Sequence, residues 1–168
     1  MCAGCLTLAG LYCASNSTAM LQVVPKKEVS ILLAFCLQHQ IQMKLYRNCL
    51  LLQTIYYGTT ALWPLVHIES FMQVTGPKTD IWLVKTVAVL LLAITASFIA
   101  ALRYKSYHAP TVILAVTCCI ALIFVDCVYV FNGTISKVYL ADAIAELAFL
   151  GVWAIIILRK IRSSEGHF

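Results

Sequence analysis

Four long apolar runs dominate the chain: Leu45–Val66, Ile81–Leu102, Pro110–Phe131 and Val138–Leu158. Each has about 21–22 residues, or roughly 32 Å as a helix. The hydrocarbon core of a bilayer is about 30 Å thick. Lipid offers no partner to a free backbone amide or carbonyl, so a spanning segment of this kind must be helical. The pattern predicts an all-α, integral membrane four-helix bundle. Composition agrees. Of 168 residues, 62% are hydrophobic and 11% are charged, whereas soluble domains average about 45–50% and about 25%. A soluble fold of this size has nowhere to hide that excess.

The connections fit these boundaries. Gly76-Pro77 marks a turn between the first two runs. Asp80 is placed to cap the second helix. Pro110 suits the first turn of the third, where a missing amide costs nothing. Asn132-Gly133 turns the chain before the fourth. Ile68, Phe71 and Met72 share one helical face, which predicts a short amphipathic turn on the membrane surface.

Orientation follows from the basic residues. Lys44, Arg47, Arg103, Lys105, Arg159, Lys160 and Arg162 flank one set of helix ends, and only Lys78 and Lys137 flank the other. Positive loops stay in the cytoplasm. The expectation is therefore a cell (inner) membrane protein with both termini cytoplasmic. Trp63, Trp82 and Tyr139 at one boundary, and Tyr46 and Tyr104 at the other, are expected in interfacial belts. The net charge of +5 belongs to this topology rather than to a basic patch, which argues against nucleic acid. The expected partners are the bilayer and a second membrane subunit or another copy of the chain.

Residues 1–42 read differently. Their apolar stretches, Leu6–Ala14 and Val29–Leu37, are too short to span. Cys2 and Cys5 have C-x-x-C spacing without a second pair. Cys49, Cys118, Cys119 and Cys127 fall inside the runs, where cysteine is usually a small apolar packer. The expected organisation is a poorly ordered extension over 1–42, a transmembrane domain over 43–162 and a cytoplasmic tail over 163–168. Met43-Lys44 before the first run looks like a natural start. The mass of the native chain checks this; one beginning at Met1 overturns it.

Chemistry is expected where ionisable groups enter the spans. Each costs about 2.5–3.5 kcal/mol at mid-helix. Lys85, Asp126, Asp142 and Glu146 are the four, all in the outer half. Glu146 lies four residues after Asp142, on the same helix face. His67, Glu69, Lys78 and Asp80 sit just above them. Two readings are open. The charged groups hold the helices together, or they line an outward-facing polar pocket with the loop residues at its rim. Lys85 is expected to pair with Asp126 or Asp142. Gln53, Tyr56, Tyr57, Thr59 and Thr60 are expected to face the interior. Ala93, Ser97, Ala101, Ala141, Ala145 and Ala148 are expected to mark close helix seams. No G-x-x-x-x-G-K-[ST], H-E-x-x-H or G-x-S-x-G occurs, so no catalytic residue, metal ligand or cofactor is assigned.

The stretch from Leu62-Trp63-Pro64-Leu65 through His67, Ser70-Phe71 and Val74-Thr75-Gly76-Pro77-Lys78-Thr79-Asp80 to Trp82-Leu83-Val84-Lys85-Thr86-Val87 resembles a group of small four-helix bacterial membrane proteins. Ile135–Glu146 fits the same pattern, and the likeness covers about residues 43–160. More distantly, the layout is similar to DoxX-like proteins, some of which are linked to quinone-coupled sulfur oxidation. The expected function is small-ligand binding at the polar pocket, or service as an accessory subunit. The alternatives are a quinone-linked oxidoreductase subunit and a small proton- or ion-coupled carrier.

Overall fold

The computed structural model describes residues 26–105 and 108–165. The Cys2–Cys5 motif and the first 25 residues of the expected extension lie outside them. Five helices follow in order: α1 (Lys26–Val66), α2 (Ile68–Thr75), α3 (Ile81–Arg103), α4 (Ala109–Phe131) and α5 (Tyr139–Glu165). The chain divides into two compact units, Met1–Gln40 and Ile41–Phe168. In the first, residues 26–40 are helical. All contacts discussed below belong to the second.

The four-span bundle expected from the apolar runs is not what forms. Among the described residues, three helices are long and apolar enough to cross a membrane: Ile81–Arg103, Ala109–Phe131 and Tyr139–Arg162. The chain is thus a multi-pass helical membrane protein, and the first run is not one of its three apolar spans. The physical reason lies in its composition. Leu45–Val66 carries Arg47, Asn48, Gln53, Thr54, Thr59 and Thr60, each of which disfavours insertion as a lipid-facing helix. Of these, Gln53 is used instead against α4 and α5.

The three spans begin and end where local chemistry directs. Pro110 occupies the first turn of α4, where its ring costs no hydrogen bond. Gly76 sits at φ 91° after α2, a backbone region open to glycine at no steric cost. Asp80 precedes α3 but makes no side-chain cap bond; its Oδ2 accepts from the Thr79 hydroxyl instead. The amphipathic turn expected after the first run is α2, which buries Phe71 and Thr75. Trp63 meets Phe71 edge-on at 5.7 Å and donates its indole N–H to Ser70 Oγ at 2.9 Å. These contacts fold α2 back on the end of α1. Lys78 lies 4.8 Å above the Tyr139 ring, tying the first loop to the start of α5.

The core gathers Tyr46, Cys49, Leu50 and Tyr57 of α1, Phe98 and Ala101 of α3, Ala115 of α4, and Trp153 and Ile156 of α5. Tyr46 is a core residue rather than an interfacial one: it is buried and packs edge-on against Trp153 at 5.1 Å. The small-residue seams are also displaced. Ala93, Ser97, Ala141 and Ala148 are exposed, and the buried alanines are Ala61, Ala88, Ala101, Ala115 and Ala143. Small residues four apart recur on several helix faces, and only packing selects one.

Phe98 is fully buried and lies 6.0 Å from the Tyr57 ring. Phe98→Ala is expected to destabilise the fold by about 3 kcal/mol through the cavity it leaves. Unfolding in mixed micelles checks this.

Candidate functional site

The site grows out of the polar face of α1. Gln53 and Tyr57 are one helical turn apart, so their side chains stack on one face. Both are buried, at 0% and 1% exposure. A buried amide without partners costs about 1–3 kcal/mol per orphaned group, and Gln53 has none orphaned. Its Oε1 accepts from Trp153 Nε1 at 2.9 Å. Its Nε2 donates to the Tyr57 hydroxyl at 3.1 Å, and lies 3.2 Å from both the Ala115 carbonyl and Cys119 Sγ. Ala115 has no side chain beyond Cβ, which lets the amide reach the backbone of α4. One α1 residue thereby joins α4 and α5.

The acids sit at the next level. Tyr57 donates to Glu146 Oε2 at 3.1 Å, and Tyr56 donates to Asp142 Oδ1. Asp126, on α4, lies within side-chain hydrogen-bond reach of Asp142 and close enough to Glu146 to feel its charge. Neither carboxylate of the Asp126–Asp142 contact has a hydrogen of its own, so a single proton completes that bond. Glu146 is fully buried and Asp126 is 5% exposed. The Cys119 thiol lies beside Glu146. Even so, Glu146 Oε1 and Asp126 Oδ2 have no hydrogen-bond partner.

Of the eight residues expected at the site, the fold brings together Asp126, Asp142 and Glu146. Lys85 is exposed on α3 and makes no ion pair with them. The expected pairing with Asp126 or Asp142 does not form: Lys85 lies one turn before Ala88, the first buried residue of α3, on a part of the helix that is exposed. His67 and Glu69 are exposed at the junction of α1 and α2, where with Val66 and Ile68 they line a cavity of about 220 Å³. His67 caps α2, its Nδ1 accepting from the Ser70 amide at 3.4 Å. Lys78 donates to the Thr75 carbonyl at 3.4 Å, and Asp80 is exposed before α3. None of these four makes a hydrogen bond or ion pair with Asp126, Asp142 or Glu146.

Gln53, Tyr56 and Tyr57 belong to the site as fully as the acids. Their sequence signal was their polarity within an apolar run. The orientation expected for that set holds for Gln53, Tyr57 and partly for Tyr56 and Thr60. Thr59 is exposed and bonds back to its own helix at Ile55 and Tyr56. Trp153 gave no polar signal, because indole reads as an apolar residue. The four described cysteines, Cys49, Cys118, Cys119 and Cys127, are free thiols.

Gln53→Leu leaves the Trp153 N–H and the Ala115 carbonyl without their partner. It is expected to cost about 1–3 kcal/mol. In a double-mutant cycle with Trp153→Phe the two losses should be less than additive, as measured by unfolding in detergent.

Comparison of the chain with family models, with curated proteins and with solved structures returns no match.

Proposed function

We propose that this chain is a proton-coupled membrane protein whose proton-binding site is the carboxyl cluster Asp126, Asp142 and Glu146. One observation supports this reading above the others. Asp126 and Glu146 are buried with Asp142 half-buried beside them, and the charged groups acting on Asp126 and Glu146 are other acids, not cations. A buried carboxylate without a counter-ion costs several kcal/mol. Among the described residues no cation neutralises the cluster. A proton suits it better than a metal ion. Among the described residues, the three acids included, no three His, Cys, Asp or Glu side chains are arranged so that they could hold one metal ion, and the Asp126–Asp142 contact is one that a proton completes.

By the positive-inside rule, the basic residues after α3 and at the end of α5 support a topology in which those ends are cytoplasmic. The carboxyl cluster then lies in the half of the membrane facing away from the cytoplasm. Lys78 and Lys137 mark that opposite boundary. Intramembrane acids that pair with one another commonly serve as proton relays in pumps and transporters.

The test is proton uptake by liposomes that contain the full chain and a trapped pH-sensitive dye. After an external acid pulse, wild-type vesicles are expected to acidify faster than protein-free ones. Glu146→Gln keeps an acceptor for Tyr57 and should lower the rate to that of empty vesicles, with thermal unfolding little changed. Equal rates for wild type and variant would refute a proton site. Unchanged uptake with a large loss of stability would make the acids helix-joining contacts.

A further inference from the structure

The hydrogen bonds that link Trp153 to Glu146 run in one direction, with the Cys119 thiol beside both Tyr57 and Glu146. Trp153 Nε1 donates to Gln53 Oε1 at 2.9 Å, Gln53 Nε2 donates to the Tyr57 hydroxyl at 3.1 Å, and Tyr57 donates to Glu146 Oε2 at 3.1 Å. The members are Trp153, Gln53 and Glu146 at 0% exposure and Tyr57 at 1%, so no link is open to rearrangement by solvent.

The direction is dictated by chemistry. An indole N–H can donate and never accept. The amide of Gln53 has one oxygen and one nitrogen, and Trp153 claims the oxygen. The nitrogen must then face Tyr57. The Ala115 carbonyl, 3.2 Å from the same nitrogen, accepts only and fixes the amide the same way. Tyr57 has one hydroxyl hydrogen. Its oxygen already receives an N–H, and of the two acceptors near its own hydrogen, Glu146 Oε2 at 3.1 Å and Cys119 Sγ at 3.9 Å, the carboxyl is the closer and the stronger. Each donor in such a chain polarises the next.

We propose that Trp153 is a positioning residue for the proton site. Acting through Gln53 and Tyr57, it keeps Oε2 of Glu146 occupied by a donor and leaves Oε1 as the atom that takes the proton. Oε1 is the buried oxygen of this carboxyl with no partner. The step is a proton binding a lone pair of Oε1, with one O–H bond formed and later broken. The Tyr57 O–H is not broken in it. The proton arrives and leaves on the side of Asp126 and Asp142, because the chain ends at an indole with no lone pair to offer. This assignment rests on the reading of the acids as a proton site.

Protonated at Oε1, Glu146 keeps Oε2 as a carbonyl that accepts from Tyr57. Its C=O stretching band therefore reports that bond. Infrared difference spectra of the full chain in detergent, taken between acidic and alkaline pH, should contain a carboxyl band that Glu146→Gln removes. Tyr57→Phe should move the band to higher frequency. Trp153→Phe and Gln53→Leu should each move it the same way, although neither residue touches Glu146. Ile156→Val, a core change outside the chain of bonds, should leave it in place. A band that moves in Tyr57→Phe but stays at its wild-type position in Gln53→Leu and Trp153→Phe overturns the positioning role. Either of those two variants suffices if the other does not fold. A spectrum with no band removed by Glu146→Gln overturns the proton-site reading itself.

Discussion

A buried amide, Gln53, is the interaction on which the packed unit depends. Apolar helices side by side in lipid gain little from burying apolar surface, since the tails are as apolar as the helices. Close packing and polar contacts must set their arrangement. Gln53 touches the backbone of α4 at Ala115 and the side chain of Trp153 on α5. It thus fixes α1 against two spans at once. Substituting a larger residue at Ala115 would push the amide off its carbonyl, and the hydrogen-bonded chain above it would lose its base.

The cluster of acids carries the opposite logic. Interhelical polar contacts that serve only cohesion are satisfied by partners within the protein. Here Asp142 and Glu146 each receive a tyrosine hydroxyl, but Glu146 and Asp126 each retain a buried oxygen with nothing to accept from. A bundle selected for stability alone gains nothing from that arrangement, because truncating either acid to an apolar residue would remove the desolvation cost. A group that must take up and release a proton needs such an oxygen. The tyrosines hold the carboxyls in place while leaving one face of each free.

The sequence reading erred where it treated polarity as a local property. The run Leu45–Val66 is long enough to span, and its Gln53 and tyrosines are expected to face the interior of the bundle as part of a fourth spanning helix. Their number is in fact what separates α1 from the three apolar spans, and their burial against α4 and α5 makes them the floor of the site. Lys85 shows the reverse case. A lysine inside an apolar run invites pairing with the acids, but pairing needs a packed stretch of helix, and Lys85 lies in the exposed first turns of α3, ahead of its first buried residue Ala88.

Several things were determined by the sequence alone. Spans over residues 81–102, 110–131 and 138–158 follow from run length and bilayer thickness, and the fold agrees to within a few residues. Asp142 and Glu146 had to share a face because they are four residues apart on one helix. The tertiary structure decided which third carboxyl joins them, which alanines form the seams, and that Trp153 is a polar partner. Run length and helical period act within one segment. The meeting of Asp126 with Asp142, and of Gln53 with Trp153, depends on how helices rotate about their own axes when packed, and no local pattern encodes that rotation.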